Sequence, residues 1–171
     1  SYWRAHLPDT IVICPDGPEK CAASPTGFQW FDLMDQTPEQ ILSKSLVAEN
    51  KLNKLIDEVK ENYELKANDI IIGGFSQGCM ITLQTGIKRK DTINSIIGYS
   101  GRIISTEHLS KNIKCSPRRL LTFIVKPSSI ATGRPLHPCR LLRPFRLSFF
   151  FPSLLAGKAT LLVLDGFPRF K

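Results

Sequence analysis

Short apolar runs alternate along this chain with helical segments, and this alternation limits the folds that it can form. Residues 10–14, 69–74 and 94–99 are apolar and rich in β-branched side chains, which predicts buried strands. Residues 38–59 and 77–88 lie between them and are predicted to be helices. Strands that alternate with helices are typical of parallel βαβ units. We therefore expect the three strands to be neighbours in one parallel sheet that is flanked by helices.

The first predicted helix follows a long polar stretch and has a clear amphipathic pattern. Residues 15–38 are rich in Pro, Gly and Ser, and we interpret them as a surface connection pinned by Trp30 and Phe31. Thr37 or a neighbour is expected to cap the helix that begins at Pro38. Its apolar residues recur every three or four positions: Ile41, Leu42, Leu46, Val47, Leu52, Leu55, Ile56 and Val59. The pattern predicts that this helix covers one face of the sheet.

A Gly-x-Ser-x-Gly motif lies where the second strand passes into the second helix. Ser76 is flanked by Gly74 and Gly78, two positions where a side chain would clash as the backbone doubles back in a sharp strand-to-helix turn. A serine on such a turn is typical of a nucleophile, and the backbone N–H of Gln77 is then the natural donor to an oxyanion. The alternative interpretation is a glycine-rich turn that carries a solvated serine.

Four segments together resemble the phospholipase/carboxylesterase family, which includes the acyl-protein thioesterases. They are PDGP at 15–18, WFD at 30–32, GGFSQG at 73–78 and YSG at 99–101. The resemblance covers roughly residues 7–117. It implies an α/β-hydrolase fold, a Ser–Asp–His triad, and no metal or organic cofactor. By position, Ser76 is similar to the family's nucleophile and Gln77 to one of its two oxyanion donors.

The chain departs from the family pattern at both ends. The resemblance implies a further strand and a His-Gly loop before residue 7, which would supply the second oxyanion donor, so we expect a fold that is incomplete at its N-terminus. After the strand-like run 120–125, the family's Gly-x-x-Asp is replaced by Lys126, Pro127, Ser128 and Ser129. No residue of this chain therefore matches the family's aspartate or histidine.

The acids and histidines that follow Ser76 are poor candidates for completing a triad. Asp91 is expected at the edge of the sheet opposite the nucleophile. Glu107 and His108 are adjacent in sequence, would point apart, and are interpreted as surface residues. His137 lies between prolines, which favours a loop residue, and Asp165 follows both histidines in the wrong order. We therefore expect this chain to hydrolyse esters at or near the background rate.

The charge of the chain changes abruptly near residue 118. The formal net charge is +8, yet residues 118–171 contain ten basic residues and a single acid, Asp165. We expect residues 1–117 to be a partial α/β-hydrolase domain and residues 118–171 to be a basic, Pro/Arg-rich and atypical continuation of the same domain. One hypothesis is that this last third is an out-of-frame reading, which resequencing of the gene would test.

The cysteines and the apolar runs bear on the compartment. The five cysteines, Cys14, Cys21, Cys79, Cys115 and Cys139, have neither CxxC nor Cys/His metal-ligand spacing, and their odd number favours a reduced, cytoplasmic protein. The first residues do not resemble a signal peptide, and the apolar stretch at residues 147–157 is short and contains Pro152, so no membrane span is predicted.

Two function classes follow from these observations. The first is a serine hydrolase of carboxylic esters or thioesters, with a small-molecule or acylated-protein substrate and with impaired activity in this chain. The second is an inactive fragment, or a protein that binds anionic partners through the basic residues of its tail: Arg118, Arg119, Arg134, Arg140, Arg143 and Arg146. We expect no nucleic-acid binding, because the tail has no known nucleic-acid motif and its prolines interrupt any continuous helix. The oligomeric state is left open.

Overall fold

A computed structural model describes most of the chain. The described residues are 7, 9–21, 24, 26–34, 36–114, 117, 119–123 and 159–164. Their architecture is a parallel sheet flanked by helices, which is the predicted α/β class. The strands of this sheet are β1 (Thr10–Ile13), β4 (Ile70–Phe75), β5 (Ser95–Tyr99), β6 (Arg119–Phe123) and β7 (Ala159–Leu164). The helices are α1 (Pro38–Asn62), α2 (Gln77–Lys88) and α3 (Thr106–Asn112).

The order of the strands differs from the expectation in one respect. All pairs in the five-stranded sheet are parallel, and the order is β1-β7-β4-β5-β6. The prediction that β4 and β5 are parallel neighbours is confirmed, with Gly74 opposite Gly98. The prediction that β1 also lies beside them is wrong, because β7 is inserted between β1 and β4.

Strand β7 belongs to the basic tail, residues 118–171, and occupies an inner position in the sheet. It pairs with β1 from Thr10↔Ala159 to Ile13↔Leu162, and with β4 from Ile70↔Thr160 to Gly74↔Leu164. Its sequence, ATLLVL, is the apolar, partly β-branched run that an inner parallel strand requires. The sequence patterns did not reveal this pairing, because the partners lie about 90 to 150 positions apart along the chain.

Helix α1 begins where the sequence predicts. Thr37 is its N-cap: the Thr37 hydroxyl accepts a hydrogen bond from the Gln40 N–H, and the Gln40 side chain accepts one from the Thr37 N–H. This reciprocal capping box satisfies two donors that have no partner inside the helix. The prediction of one apolar face is wrong at Val47, which is 54% exposed, because the buried stripe passes instead through Ser45, Ala48 and Glu49.

The hydrophobic core lies between the sheet and helices α1 and α2. Its fully buried side chains come from both layers: Leu52 and Ile56 of α1, Ile81 of α2, Ile70 and Ile72 of β4, and Ile96 of β5. Burial of one such side chain stabilises the fold by about 1.5–3 kcal/mol. This packing fixes the position of α2 on the sheet, and with it the turn that contains Ser76.

The connection between β1 and α1 is more ordered than a plain loop. It contains a small antiparallel pair of strands, β2 (Glu19–Lys20) and β3 (Phe28–Gln29). Trp30 and Phe31 follow β3 and are 3% and 0% exposed, so the prediction that these two aromatic residues pin the segment is confirmed. Within the described part of the chain, no helix is both long enough and apolar enough to cross a bilayer.

Candidate active site

The turn between β4 and α2 is as tight as the glycine spacing predicts. A Cβ atom built on Gly74 would overlap the backbone of Gly78 and would lie 2.6 Å from the Cys79 nitrogen. Only glycine fits at position 74, because no methyl group can approach a backbone that closely. Gly74, Ser76, Gln77 and Gly78 therefore form one compact elbow at the carboxyl edge of the sheet, where Ser76 was predicted to lie.

Ser76 has a strained backbone at the apex of the elbow. Its φ is 50° and its ψ is −112°. Residues with a Cβ atom rarely adopt this backbone conformation, which costs about 1–3 kcal/mol. The Ser76 N–H donates a 2.8 Å hydrogen bond to the Tyr99 carbonyl at the end of β5. The Ser76 side chain makes no capping hydrogen bond to helix α2, so its hydroxyl is not committed to the helix terminus.

Helix α2 starts directly after Ser76 and turns its N-terminus toward this edge of the sheet. Gln77 is the first helical residue, so its N–H has no acceptor inside the helix, and the positive end of the helix dipole lies beside it. The first turn of α2 contains no acidic side chain. An anionic oxygen near Ser76 would therefore be stabilised by this N–H and by the dipole.

The loop after β5 packs tightly against the elbow. A Cβ atom on Gly101 would lie 2.6 Å from Cys79 Sγ and 2.8 Å from the Ser76 carbonyl oxygen. Cys79 is 2% exposed, and this burial raises the pKa of its thiol. Hydrogen bonds with the backbone of Gly101 and Tyr99 act in the opposite direction but have a smaller effect. A buried thiol with a raised pKa is a poor nucleophile. Ser76 is therefore the better nucleophile of the two.

The role of the Gln77 side chain was not predicted from the sequence. Its Oε1 accepts a 2.8 Å hydrogen bond from the Trp30 N–H, and its Nε2 donates a 2.5 Å hydrogen bond to the Phe31 carbonyl. The side chain is buried, and these contacts join positions 46 and 47 residues apart. Trp30 and Phe31 lie in the WFD segment and Gln77 lies in the GGFSQG segment, but nothing in either sequence indicates that the two segments are in contact.

Asp91 lies at the edge of the sheet opposite Ser76, as predicted. Its carboxylate pairs with Arg89 and Lys60 at 2.7 and 2.6 Å. The hydrogen bond from Arg89, assisted by the one from Lys60, lowers the Asp91 pKa to about 2. Arg89 directly follows the last residue of α2, whereas Ser76 precedes the first. Asp91 therefore belongs to a structural ion network and is not a partner of Ser76.

Glu107 and His108 also form contacts that do not involve Ser76. Glu107 is exposed and pairs with Lys111 one turn further along α3. His108 is half-buried, which differs from the expected surface position, because its Nε2 lies 3.2 Å from Nζ of Lys88. Lys88 is the last residue of α2, three turns from the elbow. His108 is therefore not placed to act as a base for Ser76.

The other sequence candidates lie outside the described residues. These are His137 and Asp165, and the tail arginines Arg118, Arg134, Arg140, Arg143 and Arg146; of Arg119 only the backbone is described. Among the described residues, no group of three or more His, Cys, Asp or Glu side chains could hold a metal ion. The three described cysteines, Cys14, Cys21 and Cys79, are not joined by disulfides.

Comparison with protein families gives one clear match. The family model described as phospholipase/carboxylesterase matches residues 1–125, which is more than half of the chain. The matched range includes the elbow, the Trp30–Phe31 segment and the strand that ends at Tyr99.

Individual relatives and one solved structure agree with this match. Acyl-protein thioesterase 1 of Yarrowia lipolytica is 32% identical over 101 residues, which covers 53% of this chain and 42% of that protein. Acyl-protein thioesterase 1 of Saccharomyces cerevisiae is 32% identical over 97 residues, covering 54% and 43%. The chain thus spans less than half the length of these two relatives. The crystal structure of esterase PE8 superimposes with a TM-score of 0.66 at 27% identity, covering 97% of this chain and 74% of that one, and it has the same α/β-hydrolase fold.

Proposed function

Because the chain belongs to the phospholipase/carboxylesterase family, we propose that it is a serine hydrolase of carboxylic esters or thioesters, with Ser76 as its nucleophile. The observation that carries this proposal is the elbow itself. Ser76 has a strained backbone at the carboxyl edge of a parallel sheet, between a glycine that cannot be replaced and a helix N-terminus. Such strain persists only where the surrounding structure constrains the residue, and strained residues cluster at active sites.

The proposed reaction is acyl transfer to serine followed by hydrolysis. Ser76 Oγ attacks the carbonyl carbon of the ester or thioester, and its proton passes to a base. The Gln77 N–H donates to the oxyanion that forms, the alcohol or thiol leaves with a proton, and an acyl-enzyme remains. Water then attacks the acyl-enzyme, which releases the carboxylic acid and restores the Ser76 hydroxyl.

We expect the turnover of this chain to be slow. Among the described residues that follow Ser76, Asp91 pairs with Arg89 at the opposite edge of the sheet, and His108 lies beside Lys88 at the far end of α2. His137 is the first residue that we would test as the base. A serine without a base keeps the weak nucleophilicity of an ordinary hydroxyl.

The substrate class and the compartment are part of the same proposal. The names of the relatives point to acylated proteins as substrates, and a small-molecule ester is the alternative. We place the protein in the cytoplasm, which agrees with described cysteines that are not joined by disulfides.

The test compares the chain with Ser76→Ala on a short-chain p-nitrophenyl ester and with a fluorophosphonate probe. We expect a rate close to background that nevertheless falls when Ser76 is replaced, together with slow labelling that Ser76→Ala abolishes. Equal rates for the two proteins would favour the inactive fragment. A rate far above background that depends on Ser76 would show that a base is present, and His137→Ala would then identify it or eliminate it.

A further inference from the structure

The two ends of Gln77 serve different parts of the molecule. Its backbone N–H lies at the start of helix α2, beside Ser76, where the proposed reaction needs a donor. Its side chain is buried and holds the backbone of Trp30 and Phe31 with two hydrogen bonds. A carboxamide that accepts from one residue and donates to the next fixes both its own orientation and that of the segment that it holds.

The segment that Gln77 holds is anchored again a few residues later. Asp32 accepts hydrogen bonds from the Met34 N–H at 3.0 Å and from Lys44 Nζ of helix α1 at 3.0 Å. The hydrogen bond from the Met34 N–H lowers the pKa of Asp32 most, and the one from Lys44 lowers it further. This carboxylate therefore stays ionised in mild acid. The segment 30–34 is thus tied to α2 at its start and to α1 in its middle.

The elbow needs this kind of support. A residue in a sparsely populated region of φ and ψ keeps that conformation only when its surroundings constrain it from several sides. On one side, the Ser76 N–H is bonded to Tyr99, and Gly74 lies against the backbone of Gly78. On the other side, the next residue is Gln77, and its two side-chain hydrogen bonds restrict rotation of the peptide that carries the proposed oxyanion donor.

We propose that the Gln77 carboxamide is a positioning group that locks the nucleophile elbow to the Trp30–Phe31 segment and so aims the Gln77 N–H and the Ser76 hydroxyl. The proposal rests on the proposed function for its catalytic consequence. The lock itself is a structural statement, and it can be measured whether or not the chain turns over an ester.

Two variants test the lock, and a third serves as a matched control. Gln77→Met keeps the length of the side chain but removes both hydrogen bonds. Gln77→Glu keeps an acceptor for Trp30, but it turns a carboxylate oxygen toward the Phe31 carbonyl. Gln84→Met is the control, because Gln84 is also a buried glutamine of α2 and bonds at 3.0 and 3.1 Å to Ser45 and Glu49 of α1.

The first measurement does not depend on activity. Hydrogen exchange of the amides of residues 30–34, and acrylamide quenching of Trp30 in a Trp3→Phe background, report how firmly the segment is held. We expect both Gln77 variants to raise exchange and quenching about tenfold, while Gln84→Met leaves them unchanged. If Gln77→Met leaves them unchanged, or if Gln84→Met raises them equally, the lock does not exist.

Acid provides a rescue that a merely structural role would not show. A protonated glutamic acid can donate to the Phe31 carbonyl as the amide of Gln77 does. Because burial raises the pKa of a carboxyl group, we expect Gln77→Glu to recover the protection of the parent at about pH 5, when each is compared at the same pH. Gln77→Met should show no such recovery. A Gln77→Glu profile that stays parallel to that of Gln77→Met would overturn the proposal.

The catalytic consequence is read from the rate at which a fluorophosphonate labels Ser76. We expect Gln77→Met to slow labelling about ten- to hundredfold through its maximal rate rather than through the half-saturating probe concentration, and Gln84→Met to leave it unchanged. If the parent is not labelled at all, the proposed function fails while the exchange data still decide the lock. If labelling is unchanged although the segment is released, the positioning role is wrong.

Discussion

Lys88 of helix α2 and Glu49 of helix α1 form an ion pair of 2.5 Å in which the two side chains are only 9% and 10% exposed. Gln84 donates to the same carboxylate, and the Nζ of Lys88 also lies 3.2 Å from Nε2 of His108. The pair thus joins the two helices that pack against the sheet, at the end of α2 that lies away from the elbow, and it explains why a charged residue lies on the buried face of α1.

Glu49→Gln tests the stability that depends on this pair. Removal of one partner leaves a buried, uncompensated ammonium group, which typically lowers the free energy of unfolding by about 3–5 kcal/mol. Urea unfolding at neutral pH measures the change. Glu107→Gln is the matched control, because its partner Lys111 is 69% exposed and such pairs contribute about 0–1 kcal/mol. Equal losses of unfolding free energy for Glu49→Gln and Glu107→Gln would show that the buried pair stabilises the fold no more than an exposed pair does.

Gly74→Ala tests the close approach inside the elbow. The added methyl group would overlap the backbone of Gly78, which cannot move without shifting the start of helix α2. We expect a loss of several kcal/mol or a chain that no longer folds, because the obstacle is backbone and not a flexible side chain. Thermal unfolding and the yield of folded protein measure the effect. A melting temperature within a few degrees of the parent's would contradict the geometry.

Asp91→Asn tests the ion network at the opposite edge of the sheet. The pKa of Asp91 in the folded protein is about 2, below its usual 3.8, so the ionised form stabilises the fold above pH 4 and this stabilisation is lost as the pH falls toward 2. We expect the variant to be less stable than the parent by about 1–2 kcal/mol at pH 7, a value reduced by the partial exposure of the carboxylate. Urea midpoints should converge between about pH 4 and pH 2, and a difference that stays constant with pH would exclude this origin.

Deletion of residues 159–171 tests whether the basic tail belongs to the same domain as residues 1–117. Strand β7 lies between β1 and β4, so its removal separates β1 from the rest of the sheet and opens an edge on β4. We expect loss of cooperative unfolding and aggregation through the exposed edge. Deletion of residues 166–171, which spares β7, is the control. A truncated chain that still unfolds cooperatively would argue for a domain that ends before the tail.

Local patterns were sufficient wherever neighbours in the sequence determine the structure. Helix α1 begins at Pro38 because Thr37 and Gln40 cap it, and both lie within one turn of its start. The elbow was predicted from Gly74, Ser76 and Gly78, since the clash that requires glycine arises between residues four positions apart. Strands β4 and β5 were predicted because each is a continuous apolar run that is buried in the sheet.

Tertiary structure decided everything that depends on partners far apart in the sequence. The insertion of β7 between β1 and β4, the hold of Gln77 on Trp30 and the pairing of Glu49 with Lys88 join positions from 39 to about 150 residues apart. The physical reason is that a backbone or side-chain hydrogen-bonding group has the same chemistry whichever partner it finds. An apolar run thus reveals that a strand will be buried, and only packing of the whole chain decides which strand it pairs with and what lies beside Ser76.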